Sequence, residues 1–190
     1  MNILCLDTST EKIVFALLKD NKIIEFIGEA GSKKHNSTLL PLLDKFLKEN
    51  EITIKNIDIY AVVVGPGSFT GIRIGVATVN AFALTNQKQI VEITSLEQVF
   101  EGDKDMLVGL SCKHDNYYCA NKIDKKIEYL PLNIDEIKNL GKEMTLFENS
   151  NPSKMMNVAI KKIANKEFVN QAKPFYMKRS SAERETGIKC

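Results

Sequence analysis

The chain has 190 residues, 44% of them hydrophobic and 26% charged, with 26 basic against 24 acidic side chains and a formal net charge of +2. That size fits one large or two small globular domains, and the near-neutral balance compels no nucleic-acid partner. No apolar run approaches a membrane span, the start Met1-Asn2-Ile3-Leu4-Cys5-Leu6-Asp7 lacks a signal peptide's basic start and apolar core, and the four cysteines show no Cys-x-x-Cys spacing, so no membrane, no zinc site and a reducing cytoplasm are expected.

In chain order, Ile3 to Asp7, Ile13 to Leu18 and Ile23 to Ile27 read as strands, with Glu11-Lys12 and Asp20-Asn21 near the turns. A helix is predicted from about Ser37 to Glu49, with Leu39, Leu40, Leu42, Leu43, Phe46 and Leu47 on its apolar face and Pro41 in its first turn. The apolar, β-branched segment Ile59 to Val64 reads as a strand. The run Gly65-Pro66-Gly67-Ser68-Phe69-Thr70-Gly71-Ile72-Arg73-Ile74-Gly75 then opens a second helix, from about Phe69 to Thr85. A short strand, Ile90 to Ile93, leads into Ser95-Leu96-Glu97-Gln98, which has the form of a capping box. The order then recurs. Met106 to Leu110, Tyr117 to Ile123 and Ile127 to Leu132 read as strands, Ile134 to Leu140 as a short helix, Met144 to Phe147 as a strand and Pro152 to Ala164 as a helix. The pattern predicts an α/β protein of two β-β-β-α-β-α lobes, residues 1–101 and 102–190, parted in the polar stretch Glu101 to Asp105. Lysine pairs such as Lys33-Lys34, Lys125-Lys126 and Lys161-Lys162 read as solvated faces.

The glycine-rich run is the most informative stretch. Such a strand-to-helix turn can present backbone N–H groups to a phosphate or let another backbone come close. Its helix is apolar nearly all round: Ile72, Val76, Val79 and Ala83 form one row, Ile74, Ala77, Ala81 and Leu84 a second, and Gly71, Gly75, Thr78 and Phe82 a third. A sheet covers only one side of a helix, so a second element of this chain or a second protein must cover the rest. Two glycines four apart cost about 1 kcal/mol each relative to Ala, which makes sense if a neighbouring backbone lies close. The pattern favours a protein–protein interface, against a core helix in a monomer. It predicts that Gly75→Leu keeps the fold and breaks association.

Three segments together resemble the bacterial TsaB (YeaZ) family: Asp7-Thr8-Ser9-Thr10, His35-Asn36-Ser37-x-Leu39-Leu40-Pro41, and the Gly65 to Gly75 run. Pro174-x-Tyr176-x-Lys178, followed by Ala182-Glu183, is similar to that family's closing pattern. The resemblance implies the duplicated fold of actin-like ATPases (ASKHA) and sugar kinases, with a role in making threonylcarbamoyladenosine on tRNA. There a larger TsaD paralogue carries the metal site and transfers the threonylcarbamoyl group, and TsaB is its non-catalytic scaffold. TsaC makes the threonylcarbamoyl-adenylate, and a TsaE ATPase joins the complex. The resemblance further implies a homodimer when TsaD is absent, with tRNA met only through the complex. It implies no cofactor held tightly by the isolated chain and leaves ATP and a metal open for the complex. The second lobe looks shorter than in TsaB relatives.

Interface candidates are His35, Leu39, Leu40, Leu43, Gly67, Ser68, Phe69, Gly71, Arg73, Gly75, Thr78 and Phe82, with Arg73 available to a partner carboxylate. The rival is a small ATP-binding kinase or ATPase of the same fold. In it Asp7 would be magnesium-linked, and Thr8 and Ser9 would contact phosphate. Against this, the hairpin after Asp7 has no glycine, and the matching second turn, Ser111-Cys112-Lys113-His114-Asp115, lacks a carboxylate where many relatives have Asp-Ala-Arg. The competing view of Asp7 is a strand-end carboxylate satisfied by turn N–H groups. A metallopeptidase would need a second histidine at helical spacing from His35, where Leu39 stands. Ser68 and Cys112 have no His or Asp at triad-like spacing. His35, just before a helix, reads as a cap or an interface group more readily than as an acid or base.

Overall fold

The computed structural model describes residues 1–29, 35–100, 104–112 and 115–177. Three strands open the chain: β1 (Ile3–Asp7), β2 (Lys12–Lys19) and β3 (Lys22–Glu29). Helix α1 (His35–Glu49), strand β4 (Ile59–Gly65), helix α2 (Phe69–Asn86) and strand β5 (Gln89–Thr94) follow. They form one sheet ordered β3-β2-β1-β4-β5, with β1, β4 and β5 mutually parallel. The second set is β6 (Met106–Ser111), β7 (Asn116–Ile123), β8 (Lys126–Asn133), α3 (Ile134–Asn139), β9 (Met144–Leu146) and α4 (Pro152–Ala164). Its sheet runs β8-β7-β6-β9, the first sheet's order without a counterpart of β5. The architecture is the expected α/β arrangement.

The β2–β3 and β7–β8 hairpins are closed alike. Lys19 pairs with Lys22 across Asp20-Asn21, and Ile123 pairs with Lys126 across Asp124-Lys125. All four turn residues have positive φ, as two-residue hairpins matching strand twist require.

Alternation along the strands splits the first core into two layers. Leu4, Leu6, Phe15, Tyr60 and Val62 face α1 and α2, meeting Leu43, Phe46, Ile72, Val76 and Val79. Ile3, Cys5, Val14, Ala61, Val63 and Val91 face the other way, onto Met155, Met156 and Ala159 of α4. The last helix in the chain therefore covers the first sheet. The second sheet holds two small clusters. Leu96, Val108, Ala120 and Phe147 form one, and Leu107 and Cys119 meet Ile137 of α3 in the other.

The helix starts follow their sequences. Ser68 caps α2 by accepting from Gly71 N at 3.3 Å, Asn133 and Glu136 form a capping box on α3, and Asn151 caps α4 with Pro152 at its first position. One expectation is corrected. The reciprocal pair before the 3-10 turn Glu97–Val99 is Thr94 with Glu97, not Ser95 with Gln98: Thr94 N donates to Glu97 Oε1 at 2.5 Å, and Glu97 N donates to Thr94 Oγ1 at 3.2 Å. Ser95 and Gln98 are turned to other partners.

Candidate functional site

The turn after β1 lies beside the start of α2, and the glycine run makes the fit. A Cβ on Gly71 would lie 1.9 Å from the Thr8 carbonyl oxygen, and one on Gly75 would lie 2.4 Å from Thr8 Oγ1. At Gly67, whose φ is +158°, it would lie 2.3 Å from the Ser9 carbonyl oxygen. The backbone admitted by these glycines is therefore this chain's own. This corrects the expectation for Gly71 and Gly75: both are buried, and Gly75→Leu strikes the packing of α2 on β1.

Asp7, Thr8 and Ser9 are buried, and their polar groups are engaged. Asp7 Oδ1 accepts from Ser9 N at 2.6 Å, and Oδ2 accepts from the Ser150 hydroxyl. Thr8 Oγ1 donates to Gly71 O at 2.6 Å, and Ser9 O accepts from Ser68 N at 2.6 Å. Ser95 Oγ donates to Pro66 O at 2.7 Å and lies 3.2 Å from Ser9 Oγ. Gln98 Nε2 donates to Ser150 Oγ at 2.8 Å. Sequence reasoning did not find Ser95, Gln98 or Ser150 here, and local patterning carries no signal for a partner 143 residues from Asp7. Magnesium and phosphate of the kinase-like reading would need the Asp7 carboxylate and the turn open to the cleft. These residues do not fit that group. Among the described residues, no set of three or more His, Cys, Asp or Glu side chains is placed to hold a metal.

The cleft between the lobes, about 970 Å³, is lined at this turn by Ser9, Thr10, Gly67 and Ser68, and Asp7 and Thr8 are not part of its lining. It brings together Ser68 and Cys112, and among the described residues its charged lining is Glu11, Glu29, Glu148 and Lys12. Ser68 is a helix cap, not a poised nucleophile. The side chain of His35, together with Lys113, His114, Lys178, Ala182 and Glu183, lies outside the described residues, as do Lys33-Lys34, Cys190 and 101–103 of the expected boundary.

The interface candidates separate into two groups. Leu39 and Leu43 belong to the core under α1, as Gly71 and Gly75 do under α2, which corrects their placement on a surface. Thr78 and Phe82 are half-buried, Phe82 stacked on Tyr60, and Gly67 is half-buried. Leu40 (51% exposed), Phe69 (41%), Ser68 and Arg73 lie outward. The outer face of α2 continues through the exposed Ala77, Ala81 and Leu84, the last 82% exposed. Arg73 is the only charged residue in the helix.

Part of that face is covered by the segment 169–177. Val169 bridges to Ile90, Asn80 exchanges two hydrogen bonds with Ala172, and Phe175 N donates to Val64 O at 2.8 Å. Arg73 lies 3.8 Å above the Phe69 ring and donates to Tyr176 Oη at 2.8 Å. Its first partner is thus within the chain, on a tyrosine whose place the sequence left open. Tyr129 of β8 meets Phe175 edge-on with ring centroids 5.2 Å apart, tying the second sheet to this strap.

At the lobe junction, Glu97 pairs with Lys162 at 2.8 Å, and Tyr129 Oη lies 2.7 Å from Thr94 Oγ1. Burial raises the Glu97 pKa, against the pull of the Lys162 charge. Burial pushes Tyr129 up to about 12, with Glu97 adding to it. The Cys5 and Cys119 thiols are buried, and Cys119 is pushed up to about 11 by that burial, with Cys112 adding to it. Both are unreactive thiols.

A family model described as TsaD, tRNA N6-adenosine threonylcarbamoyltransferase, matches residues 26–185. The chain is 31% identical over 122 residues to the tRNA threonylcarbamoyladenosine biosynthesis protein TsaB of Buchnera aphidicola subsp. Schizaphis graminum (strain Sg), over 61% of this chain and 58% of that protein. It is 32% identical over 133 residues to the TsaB of Haemophilus influenzae (strain ATCC 51907 / DSM 11121 / KW20 / Rd), over 67% of this chain and 56% of that protein. The chain thus spans a little over half the length of these curated relatives. The solved structure of YeaZ from Pseudomonas aeruginosa superposes with a TM-score of 0.74 at 22% identity, over 92% of this chain and 99% of that one, a likeness of fold. Among the described residues, no helix is long and apolar enough to cross a membrane.

Proposed function

The chain belongs to the TsaD family and groups within it with the TsaB (YeaZ) proteins, and from that premise we propose that it is a non-catalytic scaffold in forming threonylcarbamoyladenosine on tRNA. In this reading the lobe of residues 1–101 carries the surface that binds and activates a TsaD-like transferase, and residues 102–190 form the smaller lobe. A TsaE-like ATPase joins the assembly, tRNA is met through the complex, and two copies of this chain pair when the transferase is absent. Any ATP or metal requirement belongs to the complex, in the cytoplasm.

The observation that carries the reading is the outer face of α2. Ala77, Ala81 and Leu84 stand exposed on a helix with one charge, and Leu40 stands exposed on α1. A solvated helix face ordinarily carries several charges, and contiguous exposed apolar surface marks interaction sites. The closed turn at Asp7 weighs against the kinase-like alternative.

Light scattering coupled to gel filtration tests this, on the chain alone and mixed with the TsaD-like paralogue of the same organism. A homodimer that converts to a one-to-one heterodimer is expected. Leu84→Arg should leave the unfolding temperature within about 2 °C, since a lone exposed substitution is nearly neutral, and weaken both associations at least tenfold. A wild-type chain that stays monomeric and ignores the paralogue would overturn the proposal.

A further inference from the structure

The outward row of α2 holds one charge in an otherwise apolar line. Phe69, Arg73, Ala77 and Ala81 follow at helical spacing and, with Leu84, stand exposed on one face. Arg73 is held in place within the chain. Its guanidinium carbon lies 3.8 Å above the Phe69 ring and 5.8 Å from the centre of the Tyr176 ring, and the two rings are 5.0 Å apart. Its Nε donates to Tyr176 Oη at 2.8 Å. Tyr176 is placed in turn by the strap. Lys173 N donates to Glu92 Oε1 at 2.7 Å, and Phe175 N donates to Val64 O at 2.8 Å. The Phe175 carbonyl oxygen comes within 2.7 Å of where a Cβ on Gly65 would be.

A guanidinium carries donors at Nε and at both Nη atoms, in one plane. Tyr176 takes Nε. The two Nη groups have no hydrogen-bond or ion-pair partner among the described residues. An aromatic bed and an anchored Nε remove much of the rotamer freedom that an exposed arginine would otherwise lose on binding. The remaining Nη pair matches the two oxygens of a carboxylate. Arginine and tyrosine are also the residue types that dominate the energetics of interfaces.

We propose that Arg73, with Phe69 and Tyr176, is a preformed receptor for one carboxylate set in an apolar face of the partner protein, so that the strap belongs to the binding surface as much as α2 does. This rests on the reading of α2 as the partner surface and extends that surface beyond residues 1–101. Tyr129 of β8 backs the strap through Phe175. Charge complementarity selects the occupant. One cation in an apolar row suits a protein face with one carboxylate, whereas a nucleic-acid backbone calls for several cations. A second copy of this chain brings no carboxylate on its own α2, and Asp44 and Glu49 of its α1 are already paired with Lys48 and Lys45.

Calorimetric titration of the full chain with the TsaD-like paralogue of the same organism tests this, with light scattering to follow self-association. Arg73→Gln should weaken the heterodimer at least tenfold, as truncating one partner of a hydrogen-bonded charge pair does. It should also flatten the fall of affinity with rising salt. Arg73→Lys should recover little of the loss, because an ammonium has neither the fork nor the flat face. Tyr176→Phe removes a hydroxyl alone and should weaken the heterodimer about threefold. Both side chains are exposed, so the variants should keep the wild-type unfolding temperature. Wild-type affinity in Arg73→Gln, Arg73→Lys or Tyr176→Phe would overturn the proposal and leave the partner reading of α2 standing. So would a loss confined to self-association, which would assign the receptor to a second copy. A wild-type chain that ignores the paralogue would overturn both.

Discussion

The two sheets share a chain order and a strand order, but they are buried to different depths. Every residue of β1 is buried, whereas β6, its counterpart, is exposed or half-exposed at both ends. The cause is the last helix. By sequence α4 closes the second repeat, but its Met155, Met156 and Ala159 seal the second face of the first sheet. The second sheet keeps the six-residue α3 and the three-residue β9. A repeated topology therefore does not imply an evenly shared core. The first lobe borrows a layer from the end of the chain, and the second gives one up.

The glycines at the centre of each lobe offer the sharpest way to break that contrast. Gly71→Val puts carbon against the Thr8 carbonyl, a backbone atom that no rotamer can move away. It should cost more than about 4 kcal/mol, enough to deplete folded protein. In the second lobe, a Cβ on Gly109 would meet Met144 Sδ at 2.3 Å. That is the flexible part of an adaptable side chain, so Gly109→Ala should cost about 1–2 kcal/mol. Urea unfolding of both variants measures the difference, and equal losses would mean that the lobes are packed alike.

The strand ends come next. Asp7→Ala removes a buried carboxylate that holds Ser9 N and the Ser150 hydroxyl, and should cost about 2–4 kcal/mol. Ser111 ends the matching strand and is exposed, so Ser111→Ala should stay within about 0.5 kcal/mol. A large loss at Ser111, read from the same unfolding curves, would mean that the end of β6 is held as firmly as the end of β1.

The elements and their order were legible because alternation and helical spacing are local signals, and each strand and helix here carries one. Pro152 marked the start of α4, but nothing local told which sheet it would cover. The glycine run was legible as a close approach and misread as to whose backbone approaches. Gly71 and Gly75 look the same from sequence whether they meet Thr8 or a partner. Leu39 and Leu43 were misplaced for a related reason: an apolar face shows that a helix is covered, not by what. Leu40 and Leu84, which are exposed, could be told from their neighbours only once α1 and α2 were laid on the sheet. Ser95, Gln98 and Ser150 were invisible because their meeting with the Asp7 turn is purely tertiary.

The junction between the lobes offers a subtler test, read as a slope. The folded-state pKa of Glu97 is raised, chiefly by burial. The native state therefore holds this proton more tightly than the unfolded chain does. The protonated side chain's contribution is fully present below the ordinary glutamate pKa of about 4.3 and is lost as pH rises through the raised value. The stability of the wild type relative to Glu97→Gln should fall over that window. Paired urea titrations from pH 4 to 7 check the sign. A rising difference would mean that Lys162 outweighs desolvation and that the junction is wetter than the packing of Tyr129 and Phe175 implies.

The smallest expected effect separates the two hairpins. Both turns place two residues at positive φ, but the second position is Asn21 in the first lobe and Lys125 in the second, at φ 60° and 68°. Asparagine tolerates the left-handed region, whereas lysine has no side-chain group that relieves the clash of its Cβ. Asn21 is exposed, so Asn21→Lys reports backbone preference alone and should cost about 0.5–1 kcal/mol. Lys125→Asn should gain less than Asn21→Lys loses, because Lys125 also lines the cleft beside α4 and has contacts to give up. Urea midpoints of the two variants measure both. If Lys125→Asn gains as much as Asn21→Lys loses, the contacts of the lysine contribute nothing to stability.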